Sequence, residues 1–323
     1  MKKSLVLAFV LSLTIIGLDA QVVEVIGKLK VTEMDTLNGE TMLVVKKSDG
    51  TLATRMSSSL PPAPDTIRSL KSDLLLTSAL CNCTSLPPAM IQSLLDNGYT
   101  IQNLIGFEVS LQDMLDAGFT IQDLLDEGLT IQDLLGGGLT IQDLLDGGQT
   151  PTNLFYGGVA MDSLYGKIYA GGLIFYLSAN AGTGLVAAPP LWSGFEDPTA
   201  IWVCYGTNLR GAEGTAIGTG AQNTIDIIAG CQATTAAGIC GNLVLNGFND
   251  WFLPSLDELN EMHLKIGFGA TGPNENIADF RSYAYYSSSE FDSENIRVQF
   301  FPAGNIEIYG KISPFFIRPI RAF

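Results

Sequence analysis

Residues 128–148 read "GLTIQDLLGGGLTIQDLLDGG", and this stretch decides how the middle of the chain folds. The phrase TIQDLL occurs three times at ten-residue intervals, beginning at Thr120, Thr130 and Thr140. A Thr followed three residues later by an acidic side chain has the spacing of a capping box, which starts a helix. Gly at the eighth position of each unit suits the left-handed residue that ends a helix. The pattern therefore predicts one short helix in every ten residues.

Units in the same register run from about residue 91 to residue 166, and we assign 91–161 to a repeat arm. Helices of about seven residues are too short to be stable alone, so the units must stack on one another as in a solenoid. The arm carries ten acidic residues between 91 and 160 and no basic one. We interpret it as a spacer with a solvated acidic face; a ligand-binding face and a metal-binding array are the alternatives.

Residues 1–20 predict a secretory signal peptide that is cleaved near Ala20. Lys2 and Lys3 precede an apolar run over 5–18, and a small residue follows at the cleavage position. At about 1.5 Å per residue the run spans roughly 20 Å, short of the ~30 Å that a membrane-spanning helix must cross. We expect a bacterial protein that is secreted or displayed at the cell surface, with no membrane span.

Residues 21–60 predict a β-rich N-terminal segment, in which Asp49-Gly50 has the sequence of a hairpin turn. A linker with a short helix at about 65–76 occupies residues 61–90. Cys81 and Cys83 follow, too close together for an easy mutual bridge. We hypothesise that they form bonds between chains, which would make the protein a homo-oligomer through its N-terminal region.

The formal charge of −16 limits the partners that the chain can bind. Nucleic acids and other polyanions are bound through Lys and Arg, which number 17 here against 33 Asp and Glu. A zinc site needs a cluster of nitrogen or sulfur ligands, and the chain has one His and no C-x-x-C pair. These counts argue against a nucleic-acid-binding protein and against a zinc protein.

Residues 162–323 change to strand-like runs with interspersed helices, so we assign the chain to the α+β class with a loop-rich C-terminal head. Five phrases occur there in order: "YGKIYAGGLIFYL", "GTAIGTGAQNTIDI", "GFNDWFLPSLDELN", "YYSSSE" and "IRPIRAF". Together they resemble the Lcl C-terminal domain family, named for a collagen-like surface adhesin. The resemblance implies a C-type-lectin-like fold at the end of a stalk. We therefore expect an adhesin-like, non-enzymatic protein whose head binds a glycan or a protein ligand.

The resemblance also implies where a ligand binds, because ligand-binding members of the family use loops and the last strands. The residues expected there, with Tyr286 added as a ring that can stack on a sugar, are Arg297, Gln299, Asn305, Glu307 and Tyr309. Separately, the oxygens of Asp292, Glu294 and Asn295 are clustered as a Ca²⁺ site would require. The alternative for these three is a polar turn whose side chains bind their own main chain.

Three cysteines lie in the head, and one pair of them is expected to form a disulfide, since export permits such bonds. Cys240 lies in a helical stretch, where a buried thiol acts as a small hydrophobic group. Cys204 ends a strand-like run and Cys231 follows a predicted helix end. We predict a Cys204–Cys231 disulfide, and the other two pairings stay open.

An alternative function is a glycoside hydrolase that uses two carboxylates from Asp250, Glu258 and Glu290. Two carboxyls about 5–9.5 Å apart across an open cleft would favour it, whereas carboxylates held in caps and turns would count against it. His263, the sole histidine, is expected to be structural. The head has no cysteine pair like the reactive one of formylglycine-generating enzymes, which share the implied fold. A third alternative is a purely structural fibre component without a small ligand.

Overall fold

The computed structural model describes residues 86–231 and 235–323, together with four short strands nearer the N-terminus. The cleavage site near Ala20, the turn at Asp49-Gly50, the linker helix, and Cys81 and Cys83 lie outside the described residues. The four strands form two pairs, the first parallel and the second antiparallel: β1 (Leu5–Ala8) with β2 (Val23–Ile26), and β3 (Leu43–Lys46) with β4 (Leu52–Arg55).

Helices and sheets occur together in the described residues, which confirms the predicted α+β class at that level. The chain divides into two compact units, Met1–Gly118 and Phe119–Phe323. The repeat helices described in the first unit are α1 (Pro88–Asp96), α2 (Ile101–Gly106) and α3 (Leu111–Asp116). Those in the second unit are α4 (Ile121–Asp126), α5 (Ile131–Gly136), α6 (Ile141–Asp146) and α7 (Pro151–Tyr156).

Each TIQDLL helix begins and ends with the same local contacts. At α5 the Thr130 hydroxyl accepts the N–H of Asp133 at 3.1 Å, and the Asp133 carboxylate accepts the N–H and O–H of Thr130 at 2.9 and 2.7 Å. At the other end Gly138 has φ +103°, and Leu139 donates its N–H to the carbonyl of Leu134 at 3.2 Å. Glycine takes this left-handed position without strain. The predicted capping box and glycine stop are confirmed.

The repeats of the second unit stack on partners that lie 25 or 26 residues further along the chain. Gln132 donates its side-chain amide to the carbonyl of Gly157 at 2.9 Å, and Gln142 donates to and accepts from the main chain of Ile168 at 3.0 and 2.9 Å. A Cβ atom on Gly157 would lie 2.5 Å from Cγ1 of Ile131, so these units are in close contact. Gln132 thus joins its unit to a later repeat and Gln142 joins its unit to strand Ile168–Tyr169, while the Thr and Asp of the phrase cap the helix.

Replacing Thr120, Thr130 and Thr140 together by Ala is expected to destabilise the arm by about 3 kcal/mol, at about 1 kcal/mol for each N-cap. Hydrogen bonds from each Thr lower the pKa of the Asp three residues later. Because the folded pKa is the lower one, this stabilisation is present above the ordinary Asp pKa of 3.8 and is lost as the pH falls below it. Urea unfolding followed by far-UV circular dichroism at about pH 7 and about pH 3 measures both effects.

The matched control for these caps is the triple Thr→Ser variant, which keeps the hydroxyl acceptor and is expected to unfold near the wild-type urea concentration. An Ala variant as stable as the wild type at neutral pH would show that the caps do not hold the arm. A stability deficit of the Ala variant that is unchanged in acid would show that the aspartate partners contribute nothing.

Two sheets form the head, with strand orders β11-β10-β9-β12-β8 and β13-β7-β6-β5. The strands are β5 (Ile168–Tyr169), β6 (Gly172–Leu177), β7 (Gly184–Ala187), β8 (Thr199–Ala200), β9 (Ala284–Glu290), β10 (Asn295–Phe300), β11 (Ile306–Gly310), β12 (Phe315–Phe316) and β13 (Ile320–Ala322). The helices are α8 (Gly220–Gly230), α9 (Ala236–Gly241) and α10 (Leu256–Ile266), and short 3-10 turns cover Met161–Ser163 and Gly272–Asn274.

The larger sheet lies between two apolar clusters, because successive residues of a strand point to opposite faces. Tyr286, Val298 and Phe315 belong to the cluster on one face. Tyr285 and Phe301 belong to the cluster on the other face, which also contains three apolar residues of α10. All seven residues of β9 are buried. β9 is therefore the centre of the sheet, and β10 and β11 extend from it to the edge.

The predicted Cys204–Cys231 disulfide is present, with the two Cα atoms 5.9 Å apart. Cys240 is a free, buried thiol on α9, and burial raises its pKa. It packs in the same apolar cluster as Trp202 and Ile227, as expected of a small hydrophobic group.

Candidate functional site

Four aromatic rings meet on the larger sheet and form what we call the aromatic platform: Tyr283, Phe300, Tyr309 and Phe315. The ring centroids lie 5.2 Å apart for Tyr309–Phe315, 5.8 Å for Phe300–Tyr309 and 5.9 Å for both Tyr283–Phe300 and Tyr283–Phe315. These separations are typical of aromatic pairs in contact. The rings come from β10, β11, β12 and the segment before β9, so the sheet assembles the platform.

The platform has a buried floor and an open upper side. Phe315 is 3% exposed and Tyr283 is 50% exposed, while Phe300 and Tyr309 are half-buried. Phe300 and Tyr309 also pack on the apolar cluster that contains Phe315, which holds their rings in place. Aromatic surface that is fixed from below and exposed above suits a ligand with an apolar face.

Glu307 adds a carboxylate to the rim of the platform. It is exposed and lies two residues before Tyr309 on β11, so both side chains point to the same face of the sheet. Burial raises the pKa of Tyr309, and the charge of Glu307 and its hydrogen bond with the Tyr309 hydroxyl raise it further, with a smaller contribution from Tyr283. The platform thus combines apolar rings, two phenol hydroxyls and one negative charge.

The strand register divides the predicted ligand residues between two faces of the sheet. β10 and β11 pair Arg297 with Ile308 and Val298 with Glu307. Arg297 therefore lies on the face opposite Glu307, where its guanidinium covers the ring of Phe291 at 5.0 Å from the centroid and donates to the carbonyl of Glu290. The sequence predicted one surface; the structure brings Glu307 and Tyr309 together and places Arg297 on the other face.

Two of the predicted ligand residues are interior. Gln299 is fully buried and donates to Asn260 Oδ1 at 2.8 Å. Tyr286 is also fully buried, and its hydroxyl donates to the carbonyl of Ser313. Both side chains are therefore placed to support the sheet and are not open to a ligand. Asn305 is exposed in the turn before β11, next to the platform strand, and it stays a predicted contact together with Glu307 and Tyr309.

The predicted calcium residues form a turn in which Asp292 is the acceptor. Its Oδ1 accepts the N–H groups of Glu294 and Asn295 at 2.8 Å each, and the Asn295 side-chain amide donates to both carboxylate oxygens at 3.0 Å. These hydrogen bonds, that of the Asn295 side chain foremost, lower the pKa of Asp292. Among the described residues no three His, Cys, Asp or Glu side chains gather as a metal site would require. The contacts are those of the polar-turn alternative.

Each carboxylate considered for hydrolysis is held by a partner within the chain. Asp250 pairs with Arg321. Glu258 accepts the N–H of Ser255 at 2.7 Å in the capping box that starts α10, and burial raises its pKa against the opposing effect of such hydrogen bonds. Glu290 is buried in an ion pair with Lys311. Carboxylates in caps and ion pairs are the arrangement that counts against a two-carboxylate cleft.

His263 is buried on α10, and burial lowers its pKa, with a smaller opposing effect from the main chain of Phe301. Its ring packs edge-on against the ring of Phe301, with centroids 5.5 Å apart. It therefore packs against the apolar cluster that contains Phe301, as expected of a structural histidine.

No family model matches the chain, and no curated protein matches it. In the part of the chain that the structure describes, no helix has the length and apolar character needed to cross a membrane. The function of the candidate site must therefore be argued from the chemistry of its own residues. Sequence reasoning found Tyr309 and Glu307 but missed Tyr283, Phe300 and Phe315, whose rings are brought together only by strand pairing.

Proposed function

We propose that this chain is a secreted or surface-displayed, non-enzymatic binding protein whose head recognises a glycan through the aromatic platform. The observation that carries the proposal is the open, fixed cluster of four rings with Glu307 at its rim. The C–H groups on one face of a sugar ring pack on aromatic rings, while its hydroxyls bond to phenol and carboxylate oxygens. The aromatic platform offers both kinds of contact on a few side chains.

The remaining features of the chain are consistent with a surface module. A disulfide such as Cys204–Cys231 forms and persists in oxidising compartments, which supports export. Stacked repeats give length, so we propose that they serve as a stalk for the head, as in an adhesin. The Lcl-like, C-type-lectin-like character of the head belongs to the same proposal. It would account for a loop-rich binding module at the C-terminus.

The platform residues are expected to carry the affinity. Replacing Tyr283 or Tyr309 by Ala removes one face of the stack and is expected to weaken glycan binding about tenfold in each case, or about 1.4 kcal/mol. Neither ring is part of the fully buried core, so both variants should fold. A glycan array probed with the full secreted chain identifies ligands, and calorimetric titration of the best one measures the loss.

The matched control is Tyr156→Ala, which removes a tyrosine that is 72% exposed on α7 and outside the platform. It is expected to bind like the wild type. Platform variants that keep every array signal would refute this site. An array without any signal would refute glycan recognition and favour a protein ligand or a structural role.

A further inference from the structure

Among the described residues no Lys or Arg side chain lies over a ring of the aromatic platform, whereas five other rings of the head are covered by one. In the described residues, Lys or Arg side chains lie 3.7 to 5.0 Å from the centroids of five rings, those of Tyr165, Phe248, Phe280, Phe291 and Trp202. None of these is a platform ring. In the part of the chain that the structure describes, the negative π faces of the platform are therefore not occupied by a cation.

The carboxylate at the rim is also not neutralised by any cation of the described residues. Ion pairs among the described residues use the carboxylates of Asp162, Glu196, Asp197, Asp250 and Glu290. Glu307 takes part in none of them, and its hydrogen bond is with the neutral hydroxyl of Tyr309. An exposed negative charge beside uncovered π faces attracts a cation through two interactions, the Coulomb attraction of the charge and the quadrupole of the rings.

We infer that the aromatic platform takes a cationic amino sugar, a glycan unit whose free amine carries a positive charge. The ammonium would lie between the Glu307 carboxylate and the rings of Tyr283 and Tyr309, and the sugar ring would pack on Phe300. The net charge of −16 favours such a ligand further and disfavours sulfated or other acidic glycans. This inference rests on the proposed function and names the chemical class of its ligand.

The test compares two glucosamine hexamers of equal length, one with free amines and one fully N-acetylated. Each is titrated into the full chain at a pH at which the amines are protonated. Acetylation removes the charge and keeps the sugar, so the acetylated hexamer is expected to bind on the order of tenfold more weakly. Added salt is expected to weaken the binding of the free-amine hexamer alone, since only that ligand relies on charge.

Glu307→Gln should reduce this preference, because it removes the rim charge and keeps the shape of an exposed side chain, while the ring faces remain. Glu275→Gln is the matched control; Glu275 is an exposed carboxylate outside the platform, and its variant should keep the preference. Equal affinity for both hexamers, or a preference that Glu307→Gln leaves unchanged, would overturn the inference. Array signals confined to neutral glycans would also overturn it while leaving glycan recognition by the head intact.

Discussion

Replacing Arg318 by Met is expected to lower the free energy of unfolding by about 3–5 kcal/mol, since it leaves a buried carboxylate without its cation. Arg318 and Asp197 are 2% and 1% exposed, and the guanidinium donates to the two Asp197 oxygens at 2.7 to 3.0 Å. It also donates to the carbonyls of Ala188 and Ala278 at 3.0 and 2.9 Å. The substitution therefore leaves two carbonyls and one charge unpaired in the interior.

Asp197 accepts hydrogen bonds from two further donors, so the loss of Arg318 would also disturb other parts of the head. Trp192 Nε1 donates to it at 2.7 Å, and the Tyr285 hydroxyl donates at 2.6 Å. Burial, followed by the charge of Asp197, raises the pKa of Tyr285. The pair thus joins the closing segment of the chain to a loop 121 residues earlier and to the central strand β9. The role of Asp197 was not predicted from the sequence, because no local pattern marks a carboxylate whose partner is 121 residues away.

Urea unfolding followed by tryptophan fluorescence measures the effect of Arg318→Met. The matched control is Arg281→Met, which breaks the 2.9 Å pair with Glu196 on the surface, where the two side chains are 42% and 56% exposed. Water already screens that pair, so its loss is expected to cost less than about 1 kcal/mol. Similar costs for the two variants would mean that burial of the Arg318–Asp197 pair does not set its importance.

The repeat helices could be predicted because each carries its own start and stop within ten residues. Thr130, Asp133 and Gly138 act on neighbouring main-chain groups, so their meaning is visible in the sequence. The stacking of the arm was not predicted in detail, since the partner of Gln132 lies 25 residues away and the side chain looks merely polar. The local capping pattern therefore predicted the helices, whereas the Gln of each TIQDLL phrase could be explained only from tertiary contacts.

The candidate site shows the same limit for strands. Alternation along β11 correctly groups Glu307 with Tyr309, but the face that they share with β10 depends on the register between the two strands. That register places Arg297 on the opposite face. Gln299 is buried and is therefore not part of the ligand-facing surface. Tyr283 reaches the platform from outside any strand. A slip of one residue would exchange the two faces, which is why a sequence pattern alone does not define this surface.

Loss of the Cys204–Cys231 bond is expected to lower the stability of the head by about 3 kcal/mol, because the open loop gains freedom in the unfolded chain. The two residues are 27 positions apart. The native turn also carries strain, since Val203 and Cys204 have φ +71° and +58°, where non-glycine residues are disfavoured. The main chain there is held by the N–H of Trp202, which donates to the carbonyl of Lys311 at 3.0 Å. Without the disulfide, the strained main chain is held by hydrogen bonds such as this one and no longer by a covalent bond.

Urea unfolding with and without reductant separates this bond from any other cysteine chemistry in the chain. The wild type is expected to lose about 3 kcal/mol on reduction, and the Cys204→Ser/Cys231→Ser double variant is expected to lose nothing further. Cys240→Ala is the control, because it removes a buried thiol that forms no bond and should keep the full sensitivity to reductant. If reductant still destabilises the double variant by a similar amount, the stabilising bond lies elsewhere. The Cys204–Cys231 bridge would then contribute little to the stability of the head.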